Sequence, residues 1–129
     1  MQRLSGIRLL REREGEGAPA RHGDSVVYNV RTFLNQGEEV GLEAKLLDVV
    51  SKDSIRVIEG IHFVDHKTRL GRRQTIAGVE HALIGMKVGG YRKVRISPHL
   101  AYRDTGVPGV IPLDAVLVVE LWLRAIETP

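Results

Sequence analysis

The sequence predicts an α+β fold, an antiparallel sheet wrapped around one short helix. Alternation of apolar and polar residues, which is typical of half-buried strands, occurs in segments 24–34, 91–96 and 115–126. Segment 75–83 is the one convincing helix, with the apolar residues Ile76, Val79 and Leu83 on one stripe. We expect residues 1–129 to form a single domain, a size at which roughly two-thirds of the unfolded surface becomes buried.

The first elements follow from local patterns. Ile7 and Leu9 open a short strand, and residues 12–23 are polar and rich in Gly and Pro, as in a connecting loop. In strand 24–34, one face carries Val26, Tyr28 and Val30. The triplet 35–37, Asn-Gln-Gly, predicts the turn that ends this strand.

The segment from 38 to 70 allows two interpretations. Leu42, Leu46 and Val50 fit a helical stripe, but they also fit a strand that continues Val40. We favour strands, with a chain reversal at 51–54. After the reversal, strand segments broken by a turn or bulge are predicted around Ile55, Val57, Ile61 and Phe63.

The helix at 75–83 has a signal at each end. The hydroxyl of Thr75 is placed to accept a hydrogen bond from an unpaired amide of the first turn, which would make Thr75 the N-cap. Gly85 supplies the left-handed residue at which helices commonly stop.

The last strand places its tryptophan away from the core. Leu117, Val119, Leu121 and Leu123 share one face, so Trp122 lies opposite them, as the only tryptophan in the chain. We expect Trp122 to be at least partly exposed and to support weak self-association. The alternative is that the first strand or the long segment before residue 70 covers it.

Composition and charge exclude several classes of function. There is no cysteine, which excludes disulfides and thiolate chemistry and is compatible with the reducing cytoplasm. Neither a membrane span nor a signal peptide is predicted. The densest basic group is Lys67, Arg69, Arg72 and Arg73. No aromatic residue lies between Phe63 and Tyr91, so this group is interpreted as a solvated turn and nucleic-acid binding is not expected.

Histidine and glycine motifs predict no metal or nucleotide site. His62 and His66 lie four residues apart, a spacing that suits a metal only on a helix, and this region is interpreted as strand. The pair Gly89-Gly90 lacks the strand and helix that a dinucleotide-binding loop requires. No metal ligands are therefore assigned.

Several short sequence motifs in the second half of the chain occur in a characteristic order. They are Gly85-Met86-Lys87-Val88-Gly89-Gly90, Ile96-Ser97-Pro98 and Ala101-Tyr102, followed by a loop with Gly106, Pro108, Gly109 and Pro112. In this order, residues 69–126 resemble the FKBP-type peptidyl-prolyl isomerase domain. The first half resembles it more loosely, through Gly23-Asp24 and the turn at 35–37.

The resemblance implies a fold, a reaction and a partner class. It implies a sheet wrapped around a helix, with an apolar bowl between them that needs no cofactor. The reaction is rotation about X-Pro bonds of proline-containing peptides or unfolded protein segments, against a barrier of about 18–20 kcal/mol. A twisted amide has less charge separation than a planar one, so a water-poor site favours the twisted state.

The resemblance also implies roles for individual residues. Ile76 matches the helix-entry position whose backbone amide donates to a bound carbonyl, and Tyr102 matches the loop tyrosine whose hydroxyl contacts the bound chain; these are the catalytic candidates. The substrate-binding candidates are Val30, Val40, Val79, Val110, Ile111, Val119 and Phe63, the last supplied by the long segment.

The chain departs from the family pattern in the bowl. Val30, Val79 and Val119 stand where the family has aromatic or larger side chains, and Gly41 stands where it has an aspartate. The segment at about 42–69, which we call the flap, is longer than in compact family members. We therefore expect a low isomerase activity. The alternative is a non-catalytic peptide- or protein-binding module of the chaperone type.

Overall fold

The computed structural model describes residues 5–127 and contains a five-stranded antiparallel sheet with a separate hairpin. The sheet strands are β1 (Ile7–Arg13), β2 (Ser25–Leu34), β5 (His66–Arg69), β6 (Tyr91–Ile96) and β7 (Leu117–Glu127), and the hairpin strands are β3 (Ile55–Ile58) and β4 (Ile61–Val64). The helices are α1 (Leu42–Leu46) and α2 (Ala77–Leu83), with 3₁₀ turns at Lys52–Ser54 and Pro98–Leu100. The strand order in the sheet is β1-β6-β7-β2-β5.

The predicted fold class is confirmed, and α2 packs on the inner face of the sheet. Leu117, Val119, Leu121 and Leu123 of β7 are fully buried beneath it. Gly78 allows the close approach, because a side chain at this position would clash with Ile96 of β6. The helix thus lies where the absence of one side chain allows it.

The start of α2 differs from the prediction. Ile76 is the N-cap, and no side chain caps the helix. Thr75 is therefore not the cap, because the helix begins two residues later than predicted and the Thr75 side chain lines a cavity instead. The predicted stop is confirmed, since Gly85 has the left-handed φ of 89°.

The flap begins with a helix, not with the favoured strand. Val40 still donates a hydrogen bond to Thr32 of β2 (2.8 Å), but the chain leaves the sheet at Gly41 and α1 follows. The strand prediction was therefore wrong for 42–46 and correct for the hairpin. The hairpin turns at Glu59 and Gly60, whose φ angles of 51° and 79° suit the two-residue turn that matches strand twist.

The flap hairpin lies against the outer face of the sheet, the face opposite α2. A polar cluster holds it there: the Nδ2 of Asn29, a fully buried residue, donates to the Val64 carbonyl (2.9 Å) and to Oδ1 of Asp65 (2.7 Å). Oδ1 of Asn29 accepts a hydrogen bond from Nε of Arg124 (2.6 Å), and Arg56 donates two hydrogen bonds to Asp65. We call these residues the outer polar cluster.

Burial opposes ionisation of Asp65, but hydrogen bonds donated by Arg56 and Asn29 outweigh it, so the pKa of the Asp65 carboxyl lies below its ordinary value. The ionised carboxylate is thus the form that holds the hairpin. Next to it, Phe63 packs edge-on against Trp122, with ring centroids 5.1 Å apart.

Trp122 points away from the core, as predicted, and is half-buried. Its cover comes from Phe63 of the flap and from Tyr91, whose ring centroid is 5.2 Å away. The alternative prediction, that the flap covers Trp122, is therefore partly correct, because Phe63 of the flap provides some of the cover.

Two predictions about surfaces can be compared with the structure. Lys67, Arg69, Arg72 and Arg73 are all exposed around Gly71, as expected of a solvated turn. Within residues 5–127, no helix has the length and apolar character needed to cross a bilayer.

Candidate active site

A cavity of about 400 Å³ opens between α2 and the inner face of the sheet. Its apolar lining comes from Val30 of β2, Val79 of α2 and Leu117 of β7, together with Ile76, the N-cap of α2. Tyr102, from the loop after β6, lines it as well. Four of the predicted site residues (Val30, Ile76, Val79 and Tyr102) thus meet around one open space.

One wall of the cavity is polar, which the sequence did not indicate. Nε2 of His66 lies 2.7 Å from Oε1 of Glu43, and the His66 ring stacks on Tyr28 at 5.5 Å. The other carboxylate oxygen of Glu43 is buried without a hydrogen-bond partner within residues 5–127. Glu43 belongs to α1, so the first part of the flap reaches the cavity although its hairpin does not.

Two tyrosines of the cavity keep their protons at neutral pH. Burial raises the pKa of the Tyr102 phenol. Burial also raises the pKa of Tyr28, with a smaller opposite effect from the Thr75 hydroxyl and a further increase from the negative charge of Glu43. Both hydroxyls therefore remain able to donate a hydrogen bond.

The backbone at the start of α2 offers a second donor. The carbonyl of Ile76 accepts hydrogen bonds from the amides of Val79 and Glu80, both at 3.1 Å. The amide of Ile76 itself donates to no group in the part of the chain that the structure describes. Because the first amides of a helix have no partner inside the helix, this N–H is available to a bound carbonyl.

Other predicted site residues lie outside the cavity lining. Val40, Ile111 and Val119 are buried in the core, and Val110 packs against it. Val119 faces α2 from the middle of the sheet, where neighbouring side chains already fill the space around it.

Phe63 is placed away from the bowl, contrary to expectation. The side chain is 6% exposed and packs on Trp122, behind the sheet as seen from the cavity. The reason is the outer polar cluster, which fixes the hairpin on the outer face. No group of three or more His, Asp or Glu within residues 5–127 is arranged to hold a metal ion.

Comparison with known proteins identifies the family. A family model described as FKBP-type peptidyl-prolyl cis-trans isomerase matches residues 17–124. The chain belongs to this family. Among curated FKBP-type relatives, FK506-binding protein 1A of Neurospora crassa is 31% identical over 125 residues, which are 96% of this chain and 91% of that protein.

Longer relatives match this FKBP-type domain with part of their length. FK506-binding protein 4 of Chaetomium thermophilum is 46% identical over 124 residues, 96% of this chain but 22% of that protein. Among solved structures, FkpA from Escherichia coli superposes with a TM-score of 0.67 at 26% identity, over 95% of this chain and 47% of that chain. The function of this FKBP-type chain is peptidyl-prolyl isomerisation, and its ligands are proline-containing peptides. Nothing in these comparisons favours the non-catalytic alternative.

Proposed function

We propose that X-Pro bonds of protein chains isomerise in the cavity between α2 and the sheet, without a cofactor and with low turnover. The observation that carries the proposal is the open space of about 400 Å³ beside Tyr102, because a filled bowl would leave no room for a prolyl ring. In this proposal the ring lies against Val30, Val79 and Leu117.

Two donors hold the chain around the rotating bond. The Ile76 amide donates to a substrate carbonyl, and the Tyr102 hydroxyl donates to a second one. Fixing both sides of the prolyl amide while its carbonyl turns favours the twisted state over either planar state. Neither proton transfer nor a covalent intermediate is needed.

Low turnover follows from the lining. Val30 and Val79 are smaller than the aromatic or larger residues that the family pattern places there, so the ring is held less closely. The polar wall of Glu43 and His66 brings charge and hydration to the site. Both features reduce the advantage of the less polar, twisted amide.

The test is exchange spectroscopy on a short X-Pro peptide with and without the protein. Uncatalysed exchange takes tens to hundreds of seconds, so acceleration by catalytic amounts of protein is readily measured. An unchanged exchange rate, with the protein folded and the peptide bound, would leave only a binding function for the cavity.

Location and assembly are finer points of the same proposal. We propose a cytoplasmic location, which the absence of cysteine in the chain supports. Weak self-association through the face that carries Trp122 is supported by the partial exposure of that ring. Fractionation of cells tests the first point, and a fluorescence measurement described below tests the second.

A further inference from the structure

The outer faces of β1 and β6 carry a row of cations. Arg8 lies directly opposite Arg95, and Arg11 lies directly opposite Lys93. Arg13 follows on the same face, opposite Tyr91, with its guanidinium 5.8 Å from the ring centroid. The bulge between Leu9 and Arg11 keeps these side chains on one face, because it corrects the alternation by one residue.

This arrangement costs stability. Like charges directly opposite each other on neighbouring strands are destabilising, and within residues 5–127 no ion pair joins Arg8, Arg11, Arg13 or Arg95 to a carboxylate. The Nε of Arg95 is buried without a hydrogen-bond partner in that part of the chain. Glu120 lies opposite Lys93, and its carboxylate accepts a hydrogen bond from Tyr91.

Several cations elsewhere in the fold form ion pairs with carboxylates. Arg31 binds Glu39, Arg56 binds Asp65 and Arg92 binds Glu12. Charged side chains on an edge strand protect it from unwanted pairing, which accounts for the arginines of β1. It does not account for Lys93 and Arg95, because β6 lies inside the sheet, between β1 and β7.

β1 is also a free edge. It is the outermost strand of the sheet, so its outer row of backbone groups has no strand partner within residues 5–127. Leu9 pairs with Val94 and so lies on the inner side of this edge, where its side chain is 39% exposed. The adjacent Leu10 is 38% exposed. The edge thus presents backbone hydrogen-bonding groups, apolar surface on one side and cations on the other.

We propose that the β1 edge binds an extended acidic segment of a partner protein, which adds to the sheet as a sixth strand. Alternate residues of a strand lie on the same face, about 7 Å apart. Acidic residues at alternate positions would meet Arg8, Arg11 and Arg13, and apolar residues between them would meet Leu9. Main-chain hydrogen bonds provide the affinity and the alternate side chains the specificity.

An acidic protein segment fits these features better than a nucleic acid does. A phosphate backbone would use the cations but neither the leucines nor the strand edge. Stacking of bases requires exposed aromatic rings, and the ring among these cations, Tyr91, is 8% exposed. The edge therefore matches the chemistry of a polypeptide strand on both of its sides.

The experiment measures binding of a labelled short peptide of alternating Glu and Val by fluorescence anisotropy at low salt. We expect saturable binding that weakens as salt is added, because exposed charges are screened. The double variant Arg8→Glu with Arg11→Glu should bind about tenfold more weakly. The matched control, Lys52→Glu with Arg72→Glu, changes the net charge equally at exposed positions outside β1 and should bind as the wild type does.

A second probe separates strand addition from simple charge attraction. Methylation of alternate backbone amides of the peptide keeps every charge but removes hydrogen bonds, so it should weaken binding. A neutral double variant, Arg8→Gln with Arg11→Gln, shows the loss of affinity without added repulsion, and its circular dichroism verifies folding. Equal binding by wild type and both β1 variants would overturn the proposal. So would tighter binding of oligothymidylate or of phosphatidylserine vesicles than of the peptide.

Discussion

Tyr102 and Val79 bring different physical effects to the cavity. Tyr102 supplies a hydroxyl that burial keeps protonated, since its pKa is raised. Val79 supplies a small apolar surface on α2 and is 5% exposed. A polar contact and a packing contact can be changed separately here, so single substitutions distinguish how the site holds its substrate.

Replacing Tyr102 by Phe should lower the turnover of an X-Pro peptide a few-fold while the fold remains intact. A single hydroxyl hydrogen bond contributes on the order of 1 kcal/mol. Because the pKa of this phenol is raised, wild-type activity should show no loss from its ionisation up to about pH 10. Exchange spectroscopy gives the turnover, and thermal melting gives the stability.

Tyr91→Phe is the matched control for this change. Its hydroxyl donates to Glu120 on the outer face, outside the cavity lining. The control should keep its turnover and lose some stability. Equal turnover of Tyr102→Phe and wild type would remove the Tyr102 hydroxyl from the mechanism.

Replacing Val79 by Trp should increase turnover, because a larger ring on α2 would narrow the open cavity around a bound proline. The same change at Val119, which is fully buried and outside the cavity lining, should instead destabilise the protein, since overpacking a filled core costs typically about 1–3 kcal/mol. Exchange rates and melting temperatures of both variants provide the test. A lower melting temperature without a gain in turnover at Val79 would mean that the cavity does not accept the ring.

At this scale the sequence indicated the cavity only in part. Val30, Ile76, Val79 and Tyr102 were predictable, because the resemblance to the FKBP-type family assigns roles to these positions. Glu43 and His66 were not, since they meet across 23 residues and only through a helix that was predicted as strand. Pairing across that distance depends on tertiary packing, which no local pattern contains.

The flap divides into two elements with separate attachments. Its helix α1 brings Glu43 to the cavity, and its hairpin is held on the other side of the sheet by Asn29 and Asp65. The hairpin strands were predictable from β-branched residues around a Glu-Gly turn. The side of the sheet on which they lie was not, because it depends on a buried asparagine that an alternating pattern leaves on the polar face.

Acid should loosen the hairpin. The pKa of Asp65 is lowered in the folded protein, so its contribution to stability is complete above the unfolded value of about 3.9 and is lost as pH falls through the lower folded value. We expect the fluorescence of Trp122, which contacts Phe63, to change as the pH falls below about 4. In Asp65→Asn the change should already be present at neutral pH.

Glu39→Gln is the control for this titration. A hydrogen bond from Arg31 lowers the pKa of Glu39, so this carboxylate also stabilises the fold above its unfolded pKa and loses that effect in acid. It lies outside the hairpin, however, and should leave the Trp122 signal as in the wild type. If Asp65→Asn kept the wild-type acid transition, another group would be responsible for it.

For the molecule as a whole, the proposed self-association makes the fluorescence of its single tryptophan dependent on concentration. Trp122 is half-buried in one chain, so acrylamide should quench it partially. If the outer face contributes to association, dilution should increase quenching as the ring loses its partner. Quenching that is the same at every concentration, together with a monomeric mass by sedimentation, would assign the protection of Trp122 to Phe63 and Tyr91 alone.

The family, the fold class and α2 could be predicted because the sequence motifs that specify them are short, local and in a characteristic order. The sheet order could not be read in the same way. β1 pairs with β6 and β2 pairs with β7, which are contacts between distant parts of the chain. The alternation of apolar and polar residues indicates which side chains of a strand share a face, but it does not indicate which strand lies next to it in the sheet.

The position of β7 in the sheet also affects when the sheet can be completed during synthesis. The strand lies at the centre of the sheet, yet it is the last to be synthesised, and its partner β2 precedes it by most of the chain. At ribosomal rates, roughly 5–20 s separate the synthesis of these two strands. During this delay the edge of β2 that pairs with β7 has no strand partner, and such distant pairing forms over roughly milliseconds to seconds once it becomes possible. A prolyl isomerase domain of this topology therefore has an unfinished sheet, with its central strand missing, for most of its own synthesis.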